Sequence, residues 1–249
     1  AGIKTVFPEE VLLELDDIPD EINKLDYPNR RDLTNELIIT IDGADAKDLD
    51  DAISVKQLDN GNYLLGVYIA DVSNYVKEGT FLDLEAFERG TSVYLPDRVI
   101  PMLPKKLSNG ICSLNEGVDR LVMGCEIEVN EFGEIINSEI FEGVINFKHR
   151  MTYDDVNKIL NGDEILINKY SDIYDMLISA NHLSKILNKR FLNIKESLKE
   201  IGSIDNIESN NLHSALSELI NKCKEIEKPF RNELEKICYN YVVELFSIP

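Results

Sequence analysis

Apolar residues follow two different rhythms along this chain. Up to about residue 150 they come in short compact or alternating runs closed by turn signals, and beyond it they recur at helical three-and-four spacing. LIITI at 37–41 and AISVKQL at 52–58 read as strands, and the turn DNGN at 59–62 joins the second of them to YLLGVYIA at 63–70. Strand, Asn-Gly turn, strand is the strongest short-range signal for a hairpin. RLVMGCEIEV at 120–129, NEFG at 130–133 and EIINSEIFEGVIN at 134–146 predict a second one. Helices are predicted over Glu9 to Leu15, over FLDLEAFERG at 81–90 with Gly90 as C-cap, and over TYDDVNKIL at 152–160. DIYDMLISANHLSKILNKR, NLHSALSELINKCKEIE and RNELEKICYNYVVELF carry the helical period toward the end of the chain. Pro96, Pro101 and Pro104 predict a stiff, irregular segment, since proline removes a backbone donor and breaks both helix and central strand. The fold class is α+β. A β-rich part, 1–150, precedes a helical part, 151–249, which belongs to the same domain or is an appended helical region.

Composition narrows this only in places. With 249 residues, 43% of them hydrophobic, the chain can bury the core of one large domain or of a domain and a half. No apolar run reaches the ~18 residues of a membrane span, so no membrane partner is expected. The N-terminus AGIKTVFPEEVLLELDD lacks the basic start and apolar stretch of a signal peptide. Cys112, Cys125, Cys223 and Cys238 form no C-x-x-C pair and read as reduced core thiols of a cytoplasmic protein. A net charge of −20 opposes indiscriminate nucleic-acid binding, which needs Lys and Arg to displace counterions. It does not describe a single groove, and local basic groups occur in PDRVIPMLPKKL (Arg98, Lys105, Lys106) and FKHR (Lys148, His149, Arg150). Each group is read first as solvated surface. His149, His182 and His213 have no partners at catalytic or ligand spacing and read as ordinary surface or helix residues.

The chemistry concentrates in TIDGADAKDLDDAISV at 40–55, where Asp42, Asp45, Asp48, Asp50 and Asp51 crowd between two predicted strands. Two carboxylates about 4 Å apart repel by roughly 1 kcal/mol in water and about 4 kcal/mol at an effective dielectric of 20. An extended backbone would point Asp48 and Asp50 to one side, with Asp51 elsewhere and Asp42 at a strand end folding back across the loop. All-oxygen ligation favours Mg²⁺, Mn²⁺ or Ca²⁺ over zinc. The EF-hand string cannot be laid over these residues, and DLDDA lacks the context of an aspartyl-phosphate motif. A metal site and a solvated acidic turn both remain open on spacing alone.

TIDGADAKDLDDAISV resembles the signature of the ribonuclease R / ribonuclease II family, in which a D-x5-D-x-D-D string carries the catalytic metal site. The long stretch from GVYIADVSNYVKEGTFLDLEAFERGTSVYLP through CEIEV resembles the following part of that catalytic (RNB) domain, and FEGVINFKHRMTYDDVNKIL continues it. The resemblance spans roughly residues 1 to 190. It implies an RNB-like mixed sheet with hairpins and helices, and a 3′-to-5′ hydrolytic exoribonuclease that degrades single-stranded RNA to nucleoside 5′-monophosphates. The family aspartates fall on Asp42, Asp48, Asp50 and Asp51, as catalytic and metal-binding residues for Mg²⁺ or Mn²⁺, and Asp45 lies outside the pattern. Tyr94 in TSVYLP falls beside the terminal nucleotides, and Arg98, Lys105 and Lys106 fall along the RNA path. Asp71 in IADVS is either support for the site or a turn residue.

The chain also departs from the family. Nothing in residues 191–249 matches the S-P-I-R-R-Y segment that supplies an arginine to the scissile phosphate, and Arg231 sits in a helical stretch. LNKR at 187–190 runs straight into FLNIKESL, and no cold-shock or S1 module is recognisable. An incomplete catalytic domain is therefore expected, working as a monomer. The alternative is an RNB-like fragment that binds metal, RNA or a protein without the reaction.

Overall fold

The structure, a computed structural model, describes residues 4–200. The helices expected over NLHSALSELINKCKEIE and RNELEKICYNYVVELF, with Cys223, Cys238, His213 and Arg231, lie outside the described residues.

Both predicted hairpins form. β3 (Asp51–Gln57) and β4 (Tyr63–Ala70) are adjacent strands. Their turn closes with the Leu58 N–H donating to the Asn62 carbonyl at 2.8 Å. β7 (Arg120–Val129) and β8 (Ile135–Ile145) meet through a turn in which Asn130 Oδ1 accepts from the N–H groups of Phe132 and Glu134, both at 2.9 Å. β1 (Arg31–Leu33), β2 (Ile39–Asp42) and β9 (His149–Thr152) complete a seven-stranded sheet in the order β1-β8-β7-β4-β3-β2-β9. The sheet is mixed, because β2 runs antiparallel to β3 but parallel to β9, and β1 runs parallel to β8. Strands β1 and β9 were not expected: both are short, polar edge strands, held by pairing rather than by any apolar pattern of their own.

The helices follow their signals. α1 (Glu9–Glu14) and α2 (Phe81–Arg89) match the periodic runs, and Gly90 closes α2 at φ +70°, a conformation glycine adopts without a Cβ clash. α3 (Tyr153–Leu160) starts where Thr152 Oγ1 accepts from the Asp155 N–H at 3.1 Å. α4 (Glu164–Lys169) and α5 (Tyr174–Glu200) follow it. The proline-rich segment is more regular than expected. β5 (Val93–Tyr94) and β6 (Val99–Ile100) form a small antiparallel pair, and a kinked helical turn at Lys106–Ile111 follows, its backbone leaving helical geometry at Gly110. Pro96 lies in the turn between the two strands, and the Pro104 carbonyl accepts from Leu107 and Ser108, so the prolines punctuate short elements rather than abolishing them.

The described chain divides into two compact units. One comprises residues up to 54, 65–126 and 139–177; the other comprises 55–64, 127–138 and the chain from 178 on. In the first, Leu33, Ile38, Leu49, Ala52, Tyr68, Val122, Ile145 and Phe147 belong to one buried cluster. A second cluster gathers Val11 and Ile18 with Leu82, Leu107 and Ile111. Gly66 permits the first of these: a Cβ there would overlap the Tyr68 hydroxyl, which hydrogen-bonds Ser54 Oγ at 3.0 Å. In the second unit the Tyr63 hydroxyl bonds His182 Nδ1, and Asn60 and Asn62 both donate to Glu128. His182 thus has a defined partner that sequence spacing did not reveal.

Candidate metal centre

The acidic stretch connects two paired strands. β2 ends at Asp42 and β3 begins at Asp51, and the register Ile39↔Ile53 brings the start of β3 back alongside the end of β2. Residues 43–50 are the loop between them. Short like-charged loops have little reason to hold a shape, and this one is held by its backbone. The Ala46 N–H donates to the Gly43 carbonyl at 3.1 Å. Ser113 Oγ donates to the Lys47 carbonyl at 3.0 Å and accepts from the Leu49 N–H at 3.1 Å. Leu114 N–H donates to the Leu49 carbonyl at 2.8 Å, and Ala70 N–H to the Asp50 carbonyl at 2.9 Å. Arg150 Nη2, from β9, donates to the carbonyls of Ala44 at 3.3 Å and Ala46 at 2.6 Å. Leu49 supplies the apolar anchor, being 1% exposed in the core cluster, a burial worth about 1.5–3 kcal/mol for such a side chain.

Alternation about that anchor turns Asp48 and Asp50 away from the core. Asp48 Oδ2 accepts from the Tyr94 hydroxyl at 2.8 Å, so Tyr94, 66% exposed, is brought to the acidic loop as its position implied. Asp42 is half-buried, and its Oδ2 is buried with no hydrogen-bond partner, as is the hydroxyl oxygen of Thr40. Burial above all, then the charges of Asp51 and Asp50, push the Asp42 carboxyl up to about 6; the neighbouring Thr40 hydroxyl and the Arg150 charge pull the other way. Asp50 is open to solvent at the surface, yet the protein around it, then the charges of Asp48 and Asp51, push it up to about 6 as well. Tyr153, at the start of α3, is raised by burial first and then by Asp42 and Asp51. Asp42, Asp48, Asp50 and Asp51 therefore act on one another electrostatically.

Among the described residues, no three His, Cys, Asp or Glu side chains stand close enough together to hold a metal ion as they are. Mutual repulsion opposes that final approach. The donor set nonetheless fits a hard divalent cation. It is all oxygen, and Asp42 Oδ2 is a buried acceptor whose neighbouring donor, the Thr40 hydroxyl, does not reach hydrogen-bonding geometry with it.

The basic residues fall differently. Arg98 is exposed, with Asp97 at 4.0 Å. With Lys105 it lines a groove of about 600 Å³ that includes Phe7, Leu12, Leu15 and Pro104. Lys106 lines the same groove, donates to the Leu15 carbonyl at 2.8 Å and pairs with Asp20 at 3.6 Å. Asp45 lies exposed in the loop. Asp71 caps the turn Val72–Asn74 and pairs with Arg30 Nη2 at 2.6 Å, its side chain 3% and that of Arg30 7% exposed. Burial is the largest influence on its carboxyl and pushes it up, but Ser73, Arg30 and Asn74 together hold it below its usual value.

Sequence reading missed the loop's supports. Arg150 was read as solvated surface, and Ser113 was not singled out. Neither was Arg120, a buried guanidinium that donates to the carbonyls of Ser113, Asp119 and Gly110 and so braces the segment touching the loop. Bonds to backbone carbonyls leave no mark on the acceptor's identity, so no motif announces them. His149, read as having no partner at ligand spacing, places Nε2 2.7 Å from Asp172 and meets Tyr170 edge-on.

The structure thus places a backbone-pinned aspartate loop between strands of a mixed sheet, with a tyrosine hydroxyl on one carboxylate. The model of the RNB domain matches residues 30–243, and the chain belongs to that family. The match runs well past residue 190, where the motif resemblance stops. Ribonuclease R of Thermotoga maritima is 50% identical over 212 residues, covering 85% of this chain and 29% of that protein. Mycoplasma genitalium RNase R in complex with double-stranded RNA superposes with a TM-score of 0.68 at 35% identity, over 77% of this chain and 34% of that one. The same enzyme in complex with ribose methylated single-stranded RNA gives a TM-score of 0.65 at 35% identity, over 76% of this chain and 30% of that one. The chain spans under a third of the length of the first curated relatives it matches.

Proposed function

We propose that this chain is the catalytic module of a 3′-to-5′ hydrolytic exoribonuclease acting on single-stranded RNA, with Mg²⁺ at Asp42, Asp48, Asp50 and Asp51, working as a cytoplasmic monomer. The observation that carries the reading is the buried Oδ2 of Asp42, without a hydrogen-bond partner at the end of β2, where the backbone-pinned acidic loop begins. When bound there, Mg²⁺ or Mn²⁺ lowers the pKa of an attacking water and offsets charge on the scissile phosphate. The residues of the chain do the rest. Leu49 and Ser113 keep Asp48 and Asp50 facing outward from a fixed backbone. Tyr94 presents an exposed ring to a terminal base, a stacking contact worth about 1–3 kcal/mol, while its hydroxyl orients Asp48. Arg98 and Lys105 line a groove open to phosphates, where such contacts position the strand without reading its sequence. The buried cysteines Cys112 and Cys125 suit a reducing compartment.

The test is 5′-labelled single-stranded RNA incubated with the chain in Mg²⁺, in EDTA, and with an Asp50→Asn variant. Shortening from the 3′ end with release of nucleoside 5′-monophosphate, lost in EDTA and in the variant, is the expected result. Equal activity in the variant, or none in Mg²⁺, contradicts the proposal.

A further inference from the structure

We infer that Arg150 is a positioning residue for the carboxylate loop: it fixes the turn between Asp42 and Asp48 so that the two keep one spacing before any cation arrives. This rests on reading the aspartates as a divalent-metal site.

The sheet register puts Arg150 in place. β9 pairs in parallel with β2, Thr40 against Arg150 and Asp42 against Thr152. Partners and alternate residues in such a ladder share one face, so Arg150 leaves the sheet on the side of Thr40 and Asp42. From there a single nitrogen, Nη2, reaches both Ala44 O and Ala46 O. The two halves of the loop are supported differently. Ser113, Leu114 and Leu49 hold the second half through three hydrogen bonds and a core side chain. The first half is built from Gly43, Ala44, Asp45 and Ala46, and a Cβ on Gly43 would meet nothing within 4 Å. Its internal bond is the one from Ala46 N–H to Gly43 O, Ala46 packs in part against the core cluster, and Arg150 supplies the hydrogen bonds that tie this half to another strand. Asp42 precedes this half directly and Asp48 follows it after Lys47, so freedom here becomes freedom in the distance between two carboxylates.

Two roles for Arg150 make opposite predictions. Its charge is near enough to act on Asp42. As a charge alone it repels an incoming cation, and removing it should tighten metal binding. As a clamp it preorganises the ligands, and removing it should weaken binding; loss of such a supporting contact costs about 10–100-fold in metal affinity.

The experiment titrates Mn²⁺ alone into the full chain, following the free-ion electron paramagnetic resonance signal, for the parent, R150M, R150K and D50N. We expect R150M to bind Mn²⁺ about tenfold more weakly, with affinity recovered in R150K, whose ammonium can still donate to both carbonyls. Parental or tighter binding in R150M overturns the inference, even where its melting temperature falls. So does an R150K protein as weak as R150M. If R150M does not fold, R150Q decides: it removes the charge and shortens the arm, so weaker binding supports the clamp and equal or tighter binding overturns it. A parent that binds no Mn²⁺, or a D50N protein that binds it equally well, removes the metal-site reading itself and this inference with it.

Discussion

Asp71 and Asp42 lie in the same compact unit and meet opposite electrostatic treatment. Asp71 is buried with its cation built in, since Arg30 lies 2.6 Å away and Ser73 and Asn74 donate to the other oxygen. Its carboxyl is held below the usual value despite burial. Asp42 has a buried oxygen with no donor, faces the charges of Asp51 and Asp50, and is pushed up to about 6. The first carboxylate is part of the scaffold, complete as the chain folds. The second is held uncompensated at the end of β2, beside a loop that hydrogen bonds and Leu49 hold in place, and under the proposed function a divalent cation would neutralise it.

Breaking the complete pair should have the largest effect on stability. Arg30→Met leaves the Asp71 carboxylate buried and uncompensated, which should cost about 3–5 kcal/mol, read from urea denaturation. Asp42→Asn should do the reverse in metal-free buffer, leaving stability unchanged or raising it. A loss in Asp42→Asn comparable to that in Arg30→Met would erase the contrast.

Next in size is the anchor between Asp48 and Asp50. Leu49→Ala should cost about 2–5 kcal/mol by denaturant melt, because the side chain is fully buried among Tyr68, Phe147 and their neighbours. A cost under about 1 kcal/mol, the level of surface substitutions, would mean that the core does not hold the loop.

The pH dependence sharpens the comparison further. Asp71 has a folded pKa below its unfolded one, so its contribution is present above the unfolded value near 4 and is lost as pH falls through the lower folded value. Asp42 has the opposite sign. Its folded carboxyl, at about 6, binds more protons than the unfolded one between about pH 4 and 6, so metal-free stability should rise as pH falls through that window. The gain from Asp42 is on the order of 2 kcal/mol. It should be measurable as chemical denaturation at pH 7 against pH 5 without metal, and Asp42→Asn should reduce it, leaving the part that comes from Asp50, whose carboxyl is likewise pushed up to about 6. A parent no more stable at pH 5 than at pH 7 would contradict the burial and crowding assigned to Asp42.

These residues differ in how far the sequence announces them. The hairpins were legible because alternating apolar runs flank Asn-Gly and Asn-Glu-Phe-Gly turns, and the aspartate string was legible because its spacing is itself a motif. Tyr94 was singled out only through the resemblance of TSVYLP to the family, and the structure puts its hydroxyl on Asp48. What stayed hidden works through backbone. β1 and β9 are made by pairing, and Arg150, Arg120 and Ser113 act on carbonyl and amide groups that any residue carries. The Arg30–Asp71 pair was hidden for another reason, its partners lying 41 positions apart. The family match to residue 243 reaches further along the chain than the motifs do.

The most direct test of the account is the thermal unfolding of the chain with and without Mg²⁺ at pH 7, beside Asp42→Asn. The account predicts that saturating Mg²⁺ raises the parent's Tm by several degrees, about what 1–2 kcal/mol of ligand-linked stabilisation gives in a chain this size. Asp42→Asn should melt at or above the metal-free parent and respond little to Mg²⁺. An unchanged parental Tm, or an equal rise in both proteins, would contradict the claim that the aspartate loop is a site completed by a cation.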